Sequence, residues 1–254
     1  MNNTASLDIM LKKLRLPAFK REHGNFASKA ENEGWSFEYY LKALAEIEAS
    51  ERHERRIQRL LKQSNLPAGK NLDTLDRKQL PVKVRRQIPV LLEGDFVERA
   101  ENVLAFGLPG RGKTHLLAAI ARELVVSKGC RVLFSSTHRL VERLLVAKRE
   151  LEIEKLLKKL DRFDIVLLDD IGYVQQSRQE MEVLFTFLAE RYERRSLMIT
   201  SNLVFKEWDR IFKDPMTTAA AVDRLVHHST ILELNNESFR AKEAKGNIER
   251  RKEG

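Results

Sequence analysis

Cysteine is scarce in this chain and long apolar runs are absent, and each absence excludes a class of protein. The 254 residues include a single cysteine, Cys130, so no disulfide can form within the chain, which fits a reducing compartment. The apolar segment after Cys130 favours core packing over a reactive thiol. No apolar run approaches the ~20 residues of a membrane-spanning helix, and no signal-peptide pattern opens the sequence. We therefore expect a cytoplasmic protein that does not engage a membrane.

Basic residues are in excess. The chain has 46 lysines and arginines against 37 acidic residues, a formal net charge of +9. Such an excess fits a nucleic-acid partner and argues against cationic substrates. A basic protein with no nucleic-acid partner is the alternative interpretation.

Residues 1–68 contain no strand-like apolar run and predict a small all-helical N-terminal domain for DNA or partner contacts. One amphipathic helix ends near Pro17, and a second begins after Ser36, which can cap it. The second helix has a charged middle with four arginines at helical spacing: Arg52, Arg55, Arg56 and Arg59. This face either follows a DNA phosphate backbone or is simply solvated.

The remainder divides into a connector and a domain of alternating strands and helices. Residues 69–98 form the connector, in which prolines and glycines interrupt the pattern. Residues 99–254 predict an α/β domain with a parallel five-stranded sheet flanked by helices. The predicted strands are 103–106, 132–136, 165–169, 197–201 and 230–234, with helices from the loop to about 127, over 138–160, over 178–194 and up to about 227.

The first strand of this domain leads into a phosphate-loop pattern. Gly107 and Gly112 stand five apart and are followed by Lys113 and Thr114. Glycines allow backbone amides to curl around an anion, the lysine reaches the outer phosphates, and the hydroxyl binds Mg²⁺. A glycine-rich turn that binds nothing is the alternative. We expect ATP to contact the whole run: Gly107, Leu108, Pro109, Gly110, Arg111, Gly112, Lys113, Thr114 and His115.

Polar residues end two later strands of the predicted sheet. The apolar strand 165–169 ends in Asp169 and Asp170, at the edge where parallel strands face a ligand. Asp169 is expected to bind Mg²⁺ beside Thr114, and Asp170 to polarise the attacking water. Asn202 ends the next strand and either orients water at the γ-phosphate or is only a turn former.

These motifs, in this order, resemble AAA+ ATPases, and closely the IstB-type transposition helpers of bacterial insertion sequences. The likeness covers nearly the full chain. The residues that carry it include Leu-Arg-Leu-Pro17, the phosphate loop within residues 102–116, Leu-Asp-Asp-Ile-Gly-Tyr173, Ile-Thr-Ser-Asn202, Asp-Arg-Leu-Val-His-His-Ser229 and Glu-Ser-Phe-Arg240. Replicative helicase loaders share the same core.

The resemblance implies further roles. Asn202 becomes a sensor of the γ-phosphate, and Arg224 an arginine finger inserted into a neighbour's ATP site. A salt bridge from Arg224 to Asp223 or another nearby acid is the structural alternative, and the nucleotide-sensing role of Arg240 stays open. Asp170 departs from the family pattern, since many AAA+ enzymes have glutamate there; the shorter side chain would slow hydrolysis. Leu108 and Arg111 stand where the family varies.

As a member of such a family, the protein is expected to be a Mg²⁺-dependent ATPase that self-associates on non-specific duplex DNA with ATP and engages a partner transposase. A helicase loader is one alternative. A nucleotide-binding switch without DNA affinity is another. Nothing in the sequence suggests nuclease or transposase activity, because the two obvious acids are assigned to ATP.

Overall fold

The structure is a computed structural model that describes residues 3–172, 177–203, 207–208 and 215–235. Arg240 and Tyr173, which the sequence motifs include, lie outside these residues. The chain forms two compact units, Met1–Arg59 and Leu60–Gly254.

The first unit is helical, as the sequence predicts. Its helices are α1 (Asn3–Lys13), α2 (Pro17–Glu33) and α3 (Phe37–Ser64), the last of which continues beyond Arg59. Ser36 accepts a hydrogen bond from the backbone N–H of Tyr39 at 3.1 Å, the predicted cap of α3. The sequence pattern did not place α2. Pro17 begins this helix, because the first turn needs no N–H donor from it.

A buried carboxylate joins α2 and α3. The side chain of Glu48 is only 4% exposed and accepts hydrogen bonds from the backbone N–H of Ala18 and from Nε of Arg52, both at 2.8 Å. Arg55 lies 3.5 Å away. Burial alone would raise the pKa of Glu48, but the hydrogen bonds and the two arginine charges outweigh it, so the pKa lies below its usual value. Glu48 is therefore ionised and serves the packing of the helices.

The second unit begins with more helix than the sequence suggests. After a short 3₁₀ turn (Arg77–Gln79) come α4 (Val82–Glu93) and α5 (Asp95–Glu98). The prediction that prolines interrupt the pattern within residues 69–98 is wrong at Pro89, because α4 runs through it. Val84, Ile88 and Leu91 are buried on one face of α4, and this burial outweighs the hydrogen bond that a proline removes.

The described residues then form a five-stranded sheet, all of whose neighbouring strands are parallel, in the order β2-β3-β4-β1-β5. This is the α/β sheet that the sequence predicts. The elements are β1 (Asn102–Phe106), α6 (Lys113–Lys128), β2 (Val132–Ser136), α7 (Thr137–Arg149), α8 (Ile153–Leu160), β3 (Ile165–Asp169), α9 (Arg178–Arg191), β4 (Ser196–Ser201), α10 (Pro215–Val226) and β5 (Ser229–Glu233).

The strand register determines where the functional side chains lie. Central β4 pairs with β3 through Leu168 and Ile199, and with β1 through Leu104 and Ile199. All of β1 and β4 is buried, together with four residues of β3, as expected when helices cover both faces. The carboxyl ends of β1, β3 and β4 therefore meet at one edge of the sheet.

Cys130 is half-buried, and burial together with the nearby charge of Asp164 raises its pKa to about 11. The thiol is thus protonated at neutral pH, in agreement with a packing role.

Candidate nucleotide site

The loop between β1 and α6 has the backbone that its glycines predict. Gly107, Gly110 and Gly112 adopt φ values of 149°, 80° and 86°, which side chains disfavour. A Cβ atom at Gly107 would lie 2.5 Å from the carbonyl oxygen of Leu234, next to β5. The loop leads directly into the N-terminus of α6, where unpaired N–H groups favour an anion.

Lys113 is the first residue of α6, and its side chain points back into the loop. The residue is only 7% exposed. Its Nζ donates hydrogen bonds to the carbonyl oxygens of Gly107 at 2.6 Å and Leu108 at 3.1 Å, and to Oδ1 of Asn202 at 2.5 Å. The ammonium group thus connects the loop with the end of β4.

Asp169, at the end of β3, accepts two hydroxyl hydrogen bonds. Oγ1 of Thr114 lies 2.7 Å from its Oδ1, and Oγ1 of Thr200 lies 2.8 Å from the same atom. Thr137 donates its hydroxyl to the backbone oxygen of Asp169 at 3.1 Å. Sequence reasoning missed Thr200 and Thr137. The available signals were two hydroxyl residues, one near the end of β4 and one at the start of α7.

Asp170 adopts the left-handed φ of 63°, a region in which aspartate is one of the few tolerated side chains. Its backbone N–H donates to Oγ1 of Thr200 at 2.8 Å, and its Oδ1 accepts from Nδ2 of Asn202 at 2.9 Å. Burial raises the pKa of Asp170, and the charge of Asp169 raises it further, against a smaller opposing effect of Lys113. Asp170 is therefore a more basic carboxylate than an exposed aspartate.

Five of the predicted site residues are thus brought together in one hydrogen-bonded network: Lys113, Thr114, Asp169, Asp170 and Asn202. The adjoining hydroxyl of Thr114 and carboxylate of Asp169 are hard oxygen donors at a spacing that suits a shared Mg²⁺ ion. Around them, Leu108 is 61% exposed and Arg111 is half-buried, so neither is committed to the core.

His115 faces the segment that precedes α4. Its Nε2 lies 3.0 Å from Oγ1 of Thr74 and 3.2 Å from the carbonyl oxygen of Asn71. Asn71 and Thr74 also bond to each other, backbone N–H to side chain in both directions. The loop of residues 69–74 therefore packs beside the start of α6. Sequence reasoning missed it because this contact joins residues far apart in the chain.

Arg224 lies near the end of α10 and takes no part in the hydrogen-bonded network of the described residues. Its guanidinium carbon lies 4.8 Å from the ring centroid of Phe185 on α9. Its Nη1 is buried and makes no hydrogen bond within the described part of the chain. Arg224 forms no ion pair with Asp223 or with another acid among those residues either, so the structural alternative finds no support there.

The four arginines of α3 fall into two pairs. Arg52 and Arg55 engage Glu48, and Arg52 also donates to the backbone oxygen of Arg15 at 2.5 Å. Arg56 and Arg59 are exposed and form no hydrogen bond or ion pair within residues 3–172 and the other described segments.

Among the helices that the structure describes, none is both long and apolar enough to cross a bilayer.

Comparisons with known proteins identify the family of this chain. The sequence model of the IstB-like ATP binding protein family matches residues 9–246. The insertion-sequence ATP-binding protein y4iQ/y4nD/y4sD of Sinorhizobium fredii is 48% identical over 241 residues, which cover 94% of this chain and 80% of that protein. The IS21 ATP-binding protein of Pseudomonas aeruginosa is 36% identical over 237 residues, covering 93% and 89%.

Among solved structures, the DnaC helicase loader matches with a TM-score of 0.56 at 24% identity, covering 66% of this chain and 98% of that one. At this identity the likeness concerns the fold alone. The fold is that of AAA+ P-loop proteins, as the sequence predicts.

Proposed function

Because this chain belongs to the family of IstB-like ATP-binding proteins, we propose that it is the ATP-hydrolysing helper of an insertion sequence. In this role it assembles with ATP on duplex DNA of any sequence and engages a partner transposase. The observation that carries the proposal is the network from Lys113 through Asn202 to Asp170, beside the Thr114–Asp169 pair. We assign the DNA and partner contacts to residues 1–68, a connector to 69–98 and the ATPase to 99–254.

The residues of the loop bind and orient ATP in this proposal. The N–H groups at the start of α6 and the loop Gly107–His115 hold the phosphates. Lys113 exchanges its loop carbonyl partners for phosphate oxygens, which are stronger acceptors. Thr114 and Asp169 would hold Mg²⁺, which supplies positive charge to the phosphates when bound.

The residues at the ends of β3 and β4 catalyse hydrolysis in this proposal. Asp170 orients a water molecule and accepts its proton, a role that its raised pKa favours. Asn202 bonds to both Lys113 and Asp170, so it responds to a γ-phosphate that displaces Lys113. Thr200 fixes Asp169 and the backbone of Asp170 at the same time.

Arg224 is assigned to the ATP site of a neighbouring subunit. Nη1 of Arg224 is buried and has no acceptor among the described residues, and an unsatisfied buried N–H group is costly. The cost is explained if the acceptor comes from a second copy of the chain on assembly. Before assembly, a cation–π contact with the ring of Phe185 stabilises the guanidinium group of Arg224.

Mixing two variants tests hydrolysis and assembly together. Arg224→Ala and Asp170→Asn should each hydrolyse ATP poorly, and their mixture should regain part of the activity, because some interfaces then combine an intact Arg224 with an intact Asp170. Arg131→Ala, at the opposite end of the sheet, is the matched control and should keep wild-type activity. If mixed oligomers form without recovery, Arg224 does not act across a subunit boundary.

The fold of the DnaC helicase loader supports a second candidate, a helicase loader. The two functions differ in their partner protein. Retention of a hexameric replicative helicase by the purified chain, with no retention of a transposase encoded beside it, would favour the loader.

A further inference from the structure

Two histidines and a glutamate cluster on the unit Leu60–Gly254, outside the nucleotide network. One ligand atom from each of Glu193, His227 and His228 lies within 4.8 Å of the others, and all three residues are exposed. We propose that they form a binding site for a divalent transition-metal ion of the zinc class. The ion would join the segment after α9 to the turn between α10 and β5.

The backbone on the Glu193 side is firmly held. Glu193 adopts a left-handed φ of 55° in the turn that follows α9. The N–H groups of Arg194 and Arg195 both return to the carbonyl oxygen of Arg191. Arg191 itself is buried, and its guanidinium donates to four backbone oxygens, those of Leu160, Phe163, Asp164 and Ser196, at 3.0–3.4 Å. The carboxylate of Glu193 therefore extends from a rigid base.

Hydrogen bonds from β1 fix the backbone around His227 and His228. The N–H of Asn102 donates to the carbonyl oxygen of His228 at 2.8 Å, and its side-chain amide donates to that of Leu225 at 3.2 Å. The N–H of His227 donates to the carbonyl oxygen of Asp223 at 3.0 Å. Both sides of the cluster are therefore fixed before any ion binds, which limits the ordering cost of binding.

The imidazole rings lie edge to face, with centroids 4.2 Å apart and planes at 67°. The hydroxyl of Tyr192 lies 3.5 Å from Nδ1 of His227. A hydroxyl in this position orients the ring, as second-layer groups do around metal-binding histidines. Exposed side chains need only small rotations to bring ligand atoms within ~2.1 Å of a shared ion.

The donor set indicates the kind of ion. Two imidazoles and one carboxylate suit Zn²⁺, Ni²⁺ or Co²⁺, whereas Mg²⁺ and Ca²⁺ prefer oxygen ligands throughout. Three protein ligands leave a fourth position for water or for a group from another molecule. The histidines directly follow the helix that carries Arg224, so the ion would also fix the end of that helix.

Metal titration of the purified, untagged chain tests the site. The measurements use nucleotide-free protein with excess Mg²⁺, so that the nucleotide site does not contribute. We expect one Zn²⁺ per chain by metal analysis, and with Co²⁺ the intense visible absorption of a four-coordinate ion. His227→Ala with His228→Ala should abolish both signals, Glu193→Gln should weaken binding, and Tyr192→Phe should weaken it about tenfold.

His138→Ala is the matched control. His138 is also an exposed histidine beside a carboxylate, Glu142 at 3.2 Å, but it has no third ligand in the described residues. This variant should bind Zn²⁺ as the wild type does. Equal uptake by the double histidine variant and the wild type, or no stoichiometric uptake by the wild type, overturns the proposal. Melting curves recorded with a chelator establish that each variant is folded.

Discussion

Buried polar groups have different partners in the two units of the chain. In the helical unit, the one buried ionisable side chain of the described residues is Glu48, and arginines and a helix N-terminus surround it. In the larger unit, Lys113 and the residues around Asp169 bond to one another at the edge of a sheet. The first arrangement holds two helices together. The second holds reactive groups in a geometry that a ligand can enter.

The two units also differ in their apolar packing. One large hydrophobic cluster of the larger unit includes Leu104, Phe187 and Trp208, and apolar residues of α6 such as Leu117 and Ile120 are buried as well. The helical unit buries few apolar residues and exposes several, including Met10, Phe37 and Leu41. A small unit buries a smaller fraction of its surface than a large one and is therefore more marginally stable. Substitutions in the two units should therefore have separable effects.

The largest effect is expected from Asp170→Asn, which tests the hydrogen-bonded network around Asp169. Loss of the proton acceptor should slow ATP hydrolysis by about 100- to 10,000-fold, the usual contribution of a general base, while ATP stays bound. Single-turnover hydrolysis and nucleotide retention measure the two effects. Asp73→Asn, an exposed aspartate of the same unit, is the control. Unchanged hydrolysis in Asp170→Asn would assign water activation to another residue.

The same variant has a pH signature. The native pKa of Asp170 is raised above its ordinary value of 3.8, so the folded state loses stability as pH rises through that native pKa. Asp170→Asn removes the ionisation, and its melting temperature at neutral pH should exceed that of the wild type. Below pH 3.8 both side chains are neutral and the difference should disappear.

Lys113→Ala should weaken ATP binding by about 100-fold, since charge-assisted hydrogen bonds contribute up to roughly 3 kcal/mol each. Calorimetric titration with a non-hydrolysable ATP analogue measures the affinity. Lys128→Ala provides a control at the exposed far end of the same helix. A Lys113→Ala protein that is folded and binds ATP with wild-type affinity would contradict the assignment.

Glu48→Gln addresses the helical unit alone. Glu48 is buried but its arginine partners are half exposed, so weakening these pairs should cost less than the roughly 3–5 kcal/mol of a fully buried pair. The hydrogen-exchange protection of α2 and α3 should fall while ATP affinity persists. Glu46→Gln, an exposed pair partner on the same helix, should change neither. Because the native pKa of Glu48 is lowered, its stabilisation is present above the ordinary value of 4.5 and is lost in acid below it. Equal protection in the Glu48→Gln and Glu46→Gln proteins would show that Glu48 does not hold the helices together.

The smallest expected effect separates the two arginine pairs of α3. Arg56→Ala with Arg59→Ala should lower the salt slope of duplex binding by up to about 1.8, since each lost phosphate contact contributes about 0.9. Stability and DNA-free hydrolysis should persist, because neither residue bonds within the described chain. Arg52→Ala with Arg55→Ala should instead loosen α2 and α3. If the first pair changes neither affinity nor slope, the DNA lies elsewhere.

The sequence predicts most elements of the larger unit because motif and strand periodicity coincide there. Strand ends carry Asp169 and Asn202, and parallel strands place such ends at one edge. Thr200 and Asn71 were not predicted, because their partners depend on strand register and on a contact between distant segments. Helix α2 was not predicted because few apolar residues mark its face. Helix α4 was not predicted because a proline such as Pro89 normally ends a helix, whereas here the burial of one helix face keeps the helix continuous.

The contact between Gly107 and Leu234 restricts which residues evolution can place at position 107. Gly24, Gly34 and Gly69 have open space around the position of a Cβ atom, whereas Gly107 faces a backbone oxygen at 2.5 Å. The N–H of Leu234 also donates to the carbonyl oxygen of Phe106 at 2.8 Å. The first peptide of the loop and the segment after β5 are thus in direct contact. Even alanine at position 107 would push them apart, so neutral drift is closed at this position while it stays open at Gly24. Gly34 and Gly69 have room for a Cβ atom, but their φ values of 65° and 76° disfavour any side chain.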